Sequence, residues 1–232
     1  MDYSLFLSNL LERYHSSLDL QVIEMKVRQL NPVSMDHNKI ILDLTLDYDY
    51  TRVVKEFVIY HMIEQTSLCT DHLKIHTPSL KDLNQYYKLC SDQEVCYNEA
   101  SVPVKSKSEA MRRLMSSRIN GKGIYLEDTL VGFIGISKDS SRASLGYEIG
   151  YSILTDYHNR GIASEAVLAY VDHLLENTPI DIISARSLLE NKASQRVLEK
   201  CGFEKEGIRK DSLAHPMLTE VIDTIVYSKK RL

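Results

Sequence analysis

The stretch that constrains this chain most is residues 146–176, GYEIGYSILTDYHNRGIASEAVLAYVDHLLE. It begins with the period of a strand: Leu145, Tyr147, Ile149, Tyr151 and Ile153 fall on one face. Gly146, Glu148, Gly150 and Ser152 fall on the other. A polar turn from Thr155 to Gly161 breaks that period. From Ile162 onward Ala163, Ala166, Val167, Tyr170 and Leu174 recur at helical spacing. The turn holds one glycine and no acidic residue after Asp156, and it delivers the amides of Arg160 to Ala163 to a helix start. Those N–H groups lack intrahelical acceptors, and the helix dipole adds about half a positive charge there. Such an end suits an anion, most naturally a phosphate or pyrophosphate. Alone it is weak evidence, because any α/β domain contains several such turns.

What the chain is not follows from composition. Of its 232 residues 44% are hydrophobic, enough for a substantial core and too many for disorder. A net charge of -4 makes no broad electrostatic case for nucleic acid or for an anionic membrane, and the terminal Lys229-Lys230-Arg231 reads as a solvated tail. No run reaches the roughly 18 apolar residues of a spanning helix. The start, MDYSLFLSNLLERY, lacks the cationic n-region of a signal peptide. Cys69, Cys90, Cys96 and Cys201 show neither CxxC spacing nor a histidine-rich neighbourhood. They read as reduced thiols rather than metal ligands, and the expectation is a cytoplasmic protein without a metal.

Residues 1–70 read as a small module of helix, strand, strand and helix. Leu5, Leu7, Leu10 and Leu11 mark a helix over residues 3–15, and alternating patterns mark strands over 20–30 and 39–48. A second helix is expected over 51–66. His61 with Tyr48, Tyr50 and Tyr60 reads as a packing surface rather than a ligand site. The module shows no chemistry of its own, which leaves it as a platform for a partner or for homodimerisation.

A new start comes at Leu73, and residues 71–232 read as the main domain. A strand over 73–76 precedes a helix over 79–91 capped by Thr77 or Ser79. A second helix is expected over 106–118, with Tyr97, Asn98 and Glu99 in the linker between them, where they read as a surface loop or as acceptor-site candidates. A hairpin over 123–136 turns about Asp128-Thr129. After the central stretch, residues 181–186 form a buried strand parallel to 147–153, completing a right-handed βαβ unit. A helix over 192–201 and strands over 203–208 and 221–229 close the chain. The fold class is α/β, with a mixed central sheet and flanking helices.

Two segments taken together say more. His158-Asn159-Arg160-Gly161-Ile162-Ala163 and, further on, Asn191, Ser194 and Cys201-Gly202-Phe203 resemble the GCN5-related N-acetyltransferase (GNAT) family. The similarity runs over roughly residues 73–232 and looks most like the ribosomal-protein N-terminal acetyltransferase branch. Residues 73–91 also look like the opening of such a domain. The resemblance implies a GNAT fold in which two strands splay apart, here 147–153 and 181–186, with acetyl-CoA as co-substrate between them. It places the cofactor on Ile153, His158, Asn159, Arg160, Gly161, Ile162, Ala163, Ser164 and Asn191. His158 stands where the family prefers Gln or Arg, which leaves the backbone cradle in place.

The acceptor would be an amine, either a protein N-terminal α-amine or a small molecule, acetylated directly in a ternary complex. Glu148, set between two glycines, is the candidate general base, its alternative role being to pair an arginine such as Arg142 or Arg186. Glu190 and Asp211 stand in reserve. Many relatives carry a tyrosine as acid seven residues after the motif asparagine. This chain has Leu198 there, and Ser194 is the candidate donor to the leaving sulfur, or else a helix cap. Cys201 reads as core. A coenzyme A-binding module with little catalytic activity is the alternative that His158 and Leu198 leave open.

Overall fold

The computed structural model describes residues 55–56, 59–60, 62–117 and 120–231. The chain divides into two compact units, Met1–Met62 with Asn177–Pro179, and Ile63–Glu176 with Ile180–Leu232. Of the first unit, residues 55, 56, 59, 60 and 62 are helical, with Glu56 and Ile59 buried. The readings for residues 3–15, 20–30 and 39–48, and for Tyr48, Tyr50 and His61, lie outside the described residues.

The second unit is built on a sheet whose eight strands run in the order β1-β2-β3-β4-β5-β6-β8-β7. The strands are β1 (Leu68–Cys69), β2 (Leu73–His76), β3 (Gly121–Leu126), β4 (Thr129–Lys138), β5 (Gly146–Ile153), β6 (Ile182–Leu188), β7 (Glu204–Ala214) and β8 (Val221–Lys230). The helices are α1 (Leu83–Ser91), α2 (Gln93–Asn98), α3 (Lys107–Ser117), α4 (Ile162–Asn177) and α5 (Lys192–Lys200). Neighbouring strands pair antiparallel except β5 with β6, which are parallel and joined through α4. That one crossover is the βαβ unit expected from the sequence. The sheet is therefore mixed and mostly antiparallel, with its single parallel pair near the centre.

Local chemistry explains where the elements start. Ser79 and Asp82 form a reciprocal capping box, so a short 3-10 turn (Leu80–Asp82) leads into α1. Asp92 caps α2 by accepting from Glu94 N (2.9 Å) and Val95 N (3.1 Å). That second helix is a departure from the sequence reading, which placed Tyr97, Asn98 and Glu99 in a linker. They end α2 instead, with Glu99 as its C-cap. Tyr86 of α1, Ala110 and Leu114 of α3 pack with Tyr125 and Leu130 of β3 and β4. Leu89, Val95 and Leu154 form a second cluster with Phe133 and Tyr157, which seats α2 beside the end of β5.

Candidate active site

The strands β5 and β6 are paired over three residues only, Gly146 with Ile182, Tyr147 with Ile183 and Glu148 with Ser184. Beyond Glu148 each continues against its outer neighbour, β5 against β4 as far as Ile153 and β6 against β8 as far as Leu188. The two therefore part, and a cleft of about 770 Å³ opens between them. An extended ligand with its own amides can lie against a strand edge exposed in this way. The parting point is braced from below. Ser184 donates to Asp139 (2.6 Å), which also accepts from Ser141 N (3.0 Å) and Arg142 Nε (3.3 Å).

All the residues expected to bind or act line this one cleft: Glu148, Ile153, His158, Asn159, Arg160, Gly161, Ile162, Ala163, Ser164, Asn191 and Ser194. At its inner end the loop before α4 turns through two left-handed residues, Asn159 (φ 59°) and Gly161 (φ 79°). Asparagine and glycine are the residue types that tolerate this region most readily. A Cβ at Gly161 would meet no atom within 4 Å, so the loop's inner surface is open toward the cleft. The first helical bond nearby is Glu165 N to Gly161 O (3.0 Å), which leaves the preceding amides for an anion. The loop, the open strand edge and the cleft's size together fit a pyrophosphate with an extended amide-bearing arm.

His158 does not extend into that anion site. Its Nε2 carries the hydrogen and donates to Ile153 O (2.9 Å), bracing the loop against the end of β5. Thr155 in the same turn donates to Asp92 Oδ2 (2.7 Å), so the loop and the α2 cap share one carboxylate. Burial opposes the charge on Asp92, yet the bonds from Thr155 and the α2 amides, with His158 nearby, hold its carboxyl below the ordinary value. Arg160 reaches over the Tyr157 ring at 5.4 Å. Arg196 and Lys200 of α5 add further positive charge to the lining.

Carboxylates enter from β5 and α2. Glu148 accepts from Arg186 Nε at 2.8 Å, the pairing that the sequence reading held as its alternative. Glu94, Asn98 and Glu99 come from α2. Glu99 is in contact with water yet walled by protein. That desolvation raises its carboxyl above the ordinary range, against a Ser152 hydrogen bond and the charge of Arg113. Of the acceptor-site candidates named from the sequence, Asn98 and Glu99 line the cleft and Tyr97, bonded to Glu190, does not. Glu94 was not legible, because a six-residue helix is too short for its period to show. The reserve candidates lie elsewhere. Glu190 accepts from Tyr97 Oη (2.6 Å), and Asp211 N bonds to Asp223 (3.0 Å) on the exposed part of β7.

At the start of α5 the cap belongs to Asn191, whose Oδ1 accepts from Ser194 N (2.9 Å). The Ser194 hydroxyl is thereby free for another partner, and it lies 3.0 Å from Tyr151 Oη of β5. Leu198 is fully buried. Cys201 is buried too, with its thiol pushed up to about 11 mainly by that burial, and its Sγ meets Ser164 O at 3.3 Å. Among the described residues, no cysteine lines the cleft and no cluster of His, Cys, Asp and Glu could hold a metal. No described helix is long and apolar enough to cross a membrane.

Known proteins are similar to this chain in sequence and in fold. The profile of the Acetyltransferase (GNAT) domain matches residues 72–204. An uncharacterized N-acetyltransferase, p20, of Bacillus licheniformis is 26% identical over 157 residues, covering 62% of this chain and 86% of its own. The [ribosomal protein uS5]-alanine N-acetyltransferase of Escherichia coli is 37% identical over 65 residues, 28% of this chain and 34% of its own. A crystal structure of a GNAT-family acetyltransferase from Bacillus anthracis superposes with a TM-score of 0.66 at 26% identity, covering 72% of this chain and 99% of that one.

Proposed function

This chain belongs to the GNAT acetyltransferases, and from that premise we propose that it transfers acetyl directly from acetyl-CoA to a primary amine in a ternary complex. The observation that carries the reading is the parting of β5 and β6 beside an anion loop. The amides of residues 160–163 hold the pyrophosphate, with Arg196 and Lys200 in reach of its charge. The open edge of β5 up to Ile153 takes the amide-bearing arm, and Asn191 keeps its Nδ2 to donate there. Acetyl-CoA, when bound, supplies the activated acyl group. Direct transfer is in keeping with the cleft's lining among the described residues, which holds no cysteine and whose histidine, His158, bonds Ile153 O and not a serine, since an acyl-enzyme needs an activated nucleophile.

Glu148 takes the proton from the incoming ammonium or aims it, with Arg186 holding its carboxylate in place. Ser194 donates to the sulfur as it leaves. The acceptor enters as a cation past Glu94 and Glu99. A protein α-amine belongs among the acceptors to be tried, given a relative named for an alanine of ribosomal protein uS5. Small amines belong there equally, because the cleft is open. A cytoplasmic setting is in keeping with four unpaired cysteines.

A second reading, a coenzyme A-binding module with little turnover, is favoured by Leu198 being in the core and His158 being turned back to Ile153. Calorimetric titration with acetyl-CoA, with ATP and NAD as controls, tests the site. Thiol release with peptides bearing free N-terminal alanine or serine, and with polyamines, tests the reaction. Selective binding with thiol release is expected. Binding without release would favour the module, and no binding would overturn both readings.

A further inference from the structure

The transferase reading asks for a donor at the leaving sulfur, and position 198, seven residues after Asn191, holds a fully buried leucine. The structure brings a different phenol to the same helix turn. Tyr151 belongs to β5, the opposite wall of the cleft, and is 43 residues from Ser194 in sequence. Its Oη lies 3.0 Å from Ser194 Oγ and 3.2 Å from Ser194 O. Both residues line the cleft where β5 and β6 are no longer paired.

Resting on the transferase reading, we infer that Tyr151 is a positioning residue that holds the Ser194 hydroxyl ready to donate to the sulfur of coenzyme A. A carbonyl oxygen can only accept, so the phenol donates to Ser194 O, and between Tyr151 Oη and Ser194 Oγ either hydroxyl can be the donor. With Asn191 already serving the Ser194 amide, Ser194 Oγ has no helix-capping duty. Its own hydrogen has two directions, toward Tyr151 Oη or into the cleft. A negatively charged sulfur in the cleft decides between them, because a hydrogen bond to an ion is about twice as strong as a neutral one. Ser194 then shares its hydrogen with the electron pair left on sulfur as the carbon–sulfur bond breaks. The proton that completes the thiol arrives through solvent in the open cleft, and is balanced by the one that Glu148 takes from the amine and returns to solvent. Tyr151 gives up no proton in this scheme. Burial pushes its phenol well above the ordinary range, which keeps it a donor to Ser194 rather than an acid.

The test reads the bound thiol itself and needs no acceptor. The ionisation of coenzyme A bound to the protein is followed by its thiolate absorbance, with desulfo-coenzyme A as the blank. In the wild type the bound thiol should ionise about one pH unit below the free thiol, the shift expected of one charge-assisted hydrogen bond. Ser194→Ala should abolish that shift, and Ser194→Thr, which retains the hydroxyl, should keep it. Tyr151→Phe should lose at least about half of it, and Tyr151→Phe in the Ser194→Ala background should change nothing further, since both act on one hydrogen bond. Affinity for desulfo-coenzyme A should be the same in every variant, which shows each one folded with its anion loop intact. A Tyr151→Phe protein with the full wild-type shift, an additive double variant, or a wild-type thiol that ionises like the free one would overturn the inference. Failure of the wild type to bind coenzyme A at all would instead overturn the transferase reading on which it rests.

Discussion

The guanidinium Nε of Arg186 on β6 lies 2.8 Å from Oε1 of Glu148 on β5, across the point where the two strands stop pairing. Both side chains are partly exposed, 40% and 26%, so the pair is a device for aiming a carboxylate more than a source of stability. Glu148→Gln keeps the size and loses the charge. Its turnover should fall about 10²- to 10⁴-fold, the range of general base catalysis, while acetyl-CoA affinity and melting temperature stay near wild type. Thiol-release kinetics set beside calorimetry check this. A wild-type rate would make Glu148 a structural partner of Arg186.

Gly161 carries the loop through φ 79° with open space where a Cβ would stand. Gly161→Val puts a branched side chain into the anion site and strains the backbone by about 1–2 kcal/mol. Acetyl-CoA affinity should drop by more than about tenfold, since the strain and the blocked approach act together. Gly161→Asn, which tolerates the left-handed region, should lose less. Calorimetric titration of both variants decides whether this loop holds the cofactor.

Asp139 braces the parting point through Ser184, Ser141 and Arg142. Burial works against its charge, but those hydrogen bonds outweigh it and bring its carboxyl down to about 2, from an ordinary 3.8. A depressed folded value means that the unfolded chain binds the proton first as pH falls. The stabilisation is therefore complete above about 4 and is lost between about 4 and 2. Asp139→Asn should lower stability at neutral pH by roughly 1–3 kcal/mol, as expected for a broken buried network. Urea unfolding should show the gap between wild type and variant closing across that acid window.

Lys122 is fully buried in β3, where its Nζ donates to Glu64 O (2.8 Å) and Thr77 Oγ1 (2.7 Å). Burial pulls it down to about 8 from 10.5, with the charge of Glu64 opposing. Between those values the unfolded chain holds more protons than the folded one, so this lysine's contribution to stability rises with pH from about 8 to 10.5. Wild type should gain on Lys122→Met as urea unfolding is repeated upward through that window. A pH-independent difference would mean that the amine is charged alike in both states.

What the sequence determined by itself is local. The alternation of residues 145–153, the single-glycine turn and the period of α4 follow from neighbours in the chain. They sufficed to locate the turn before α4 and the crossover, while Asn191 and Ser194 came from the resemblance to a known family and not from any local period. The tertiary structure decided which side chains meet. Glu148 and Arg186 are 38 residues apart, Tyr151 and Ser194 are 43 apart, and Asp92 and Thr155 are 63 apart. No periodicity records such pairs, because they depend on where two strands stop pairing and which helix starts beside the gap. The acidic wall of α2 is likewise a tertiary feature. Six residues are too few to show a helical face, and only packing of Val95 against Leu89 and Leu154 turns Glu94, Asn98 and Glu99 toward the cleft. Hydrophobic patterning selects the elements; the gap between β5 and β6 opens because each strand stays paired to its outer neighbour after the two stop pairing with each other.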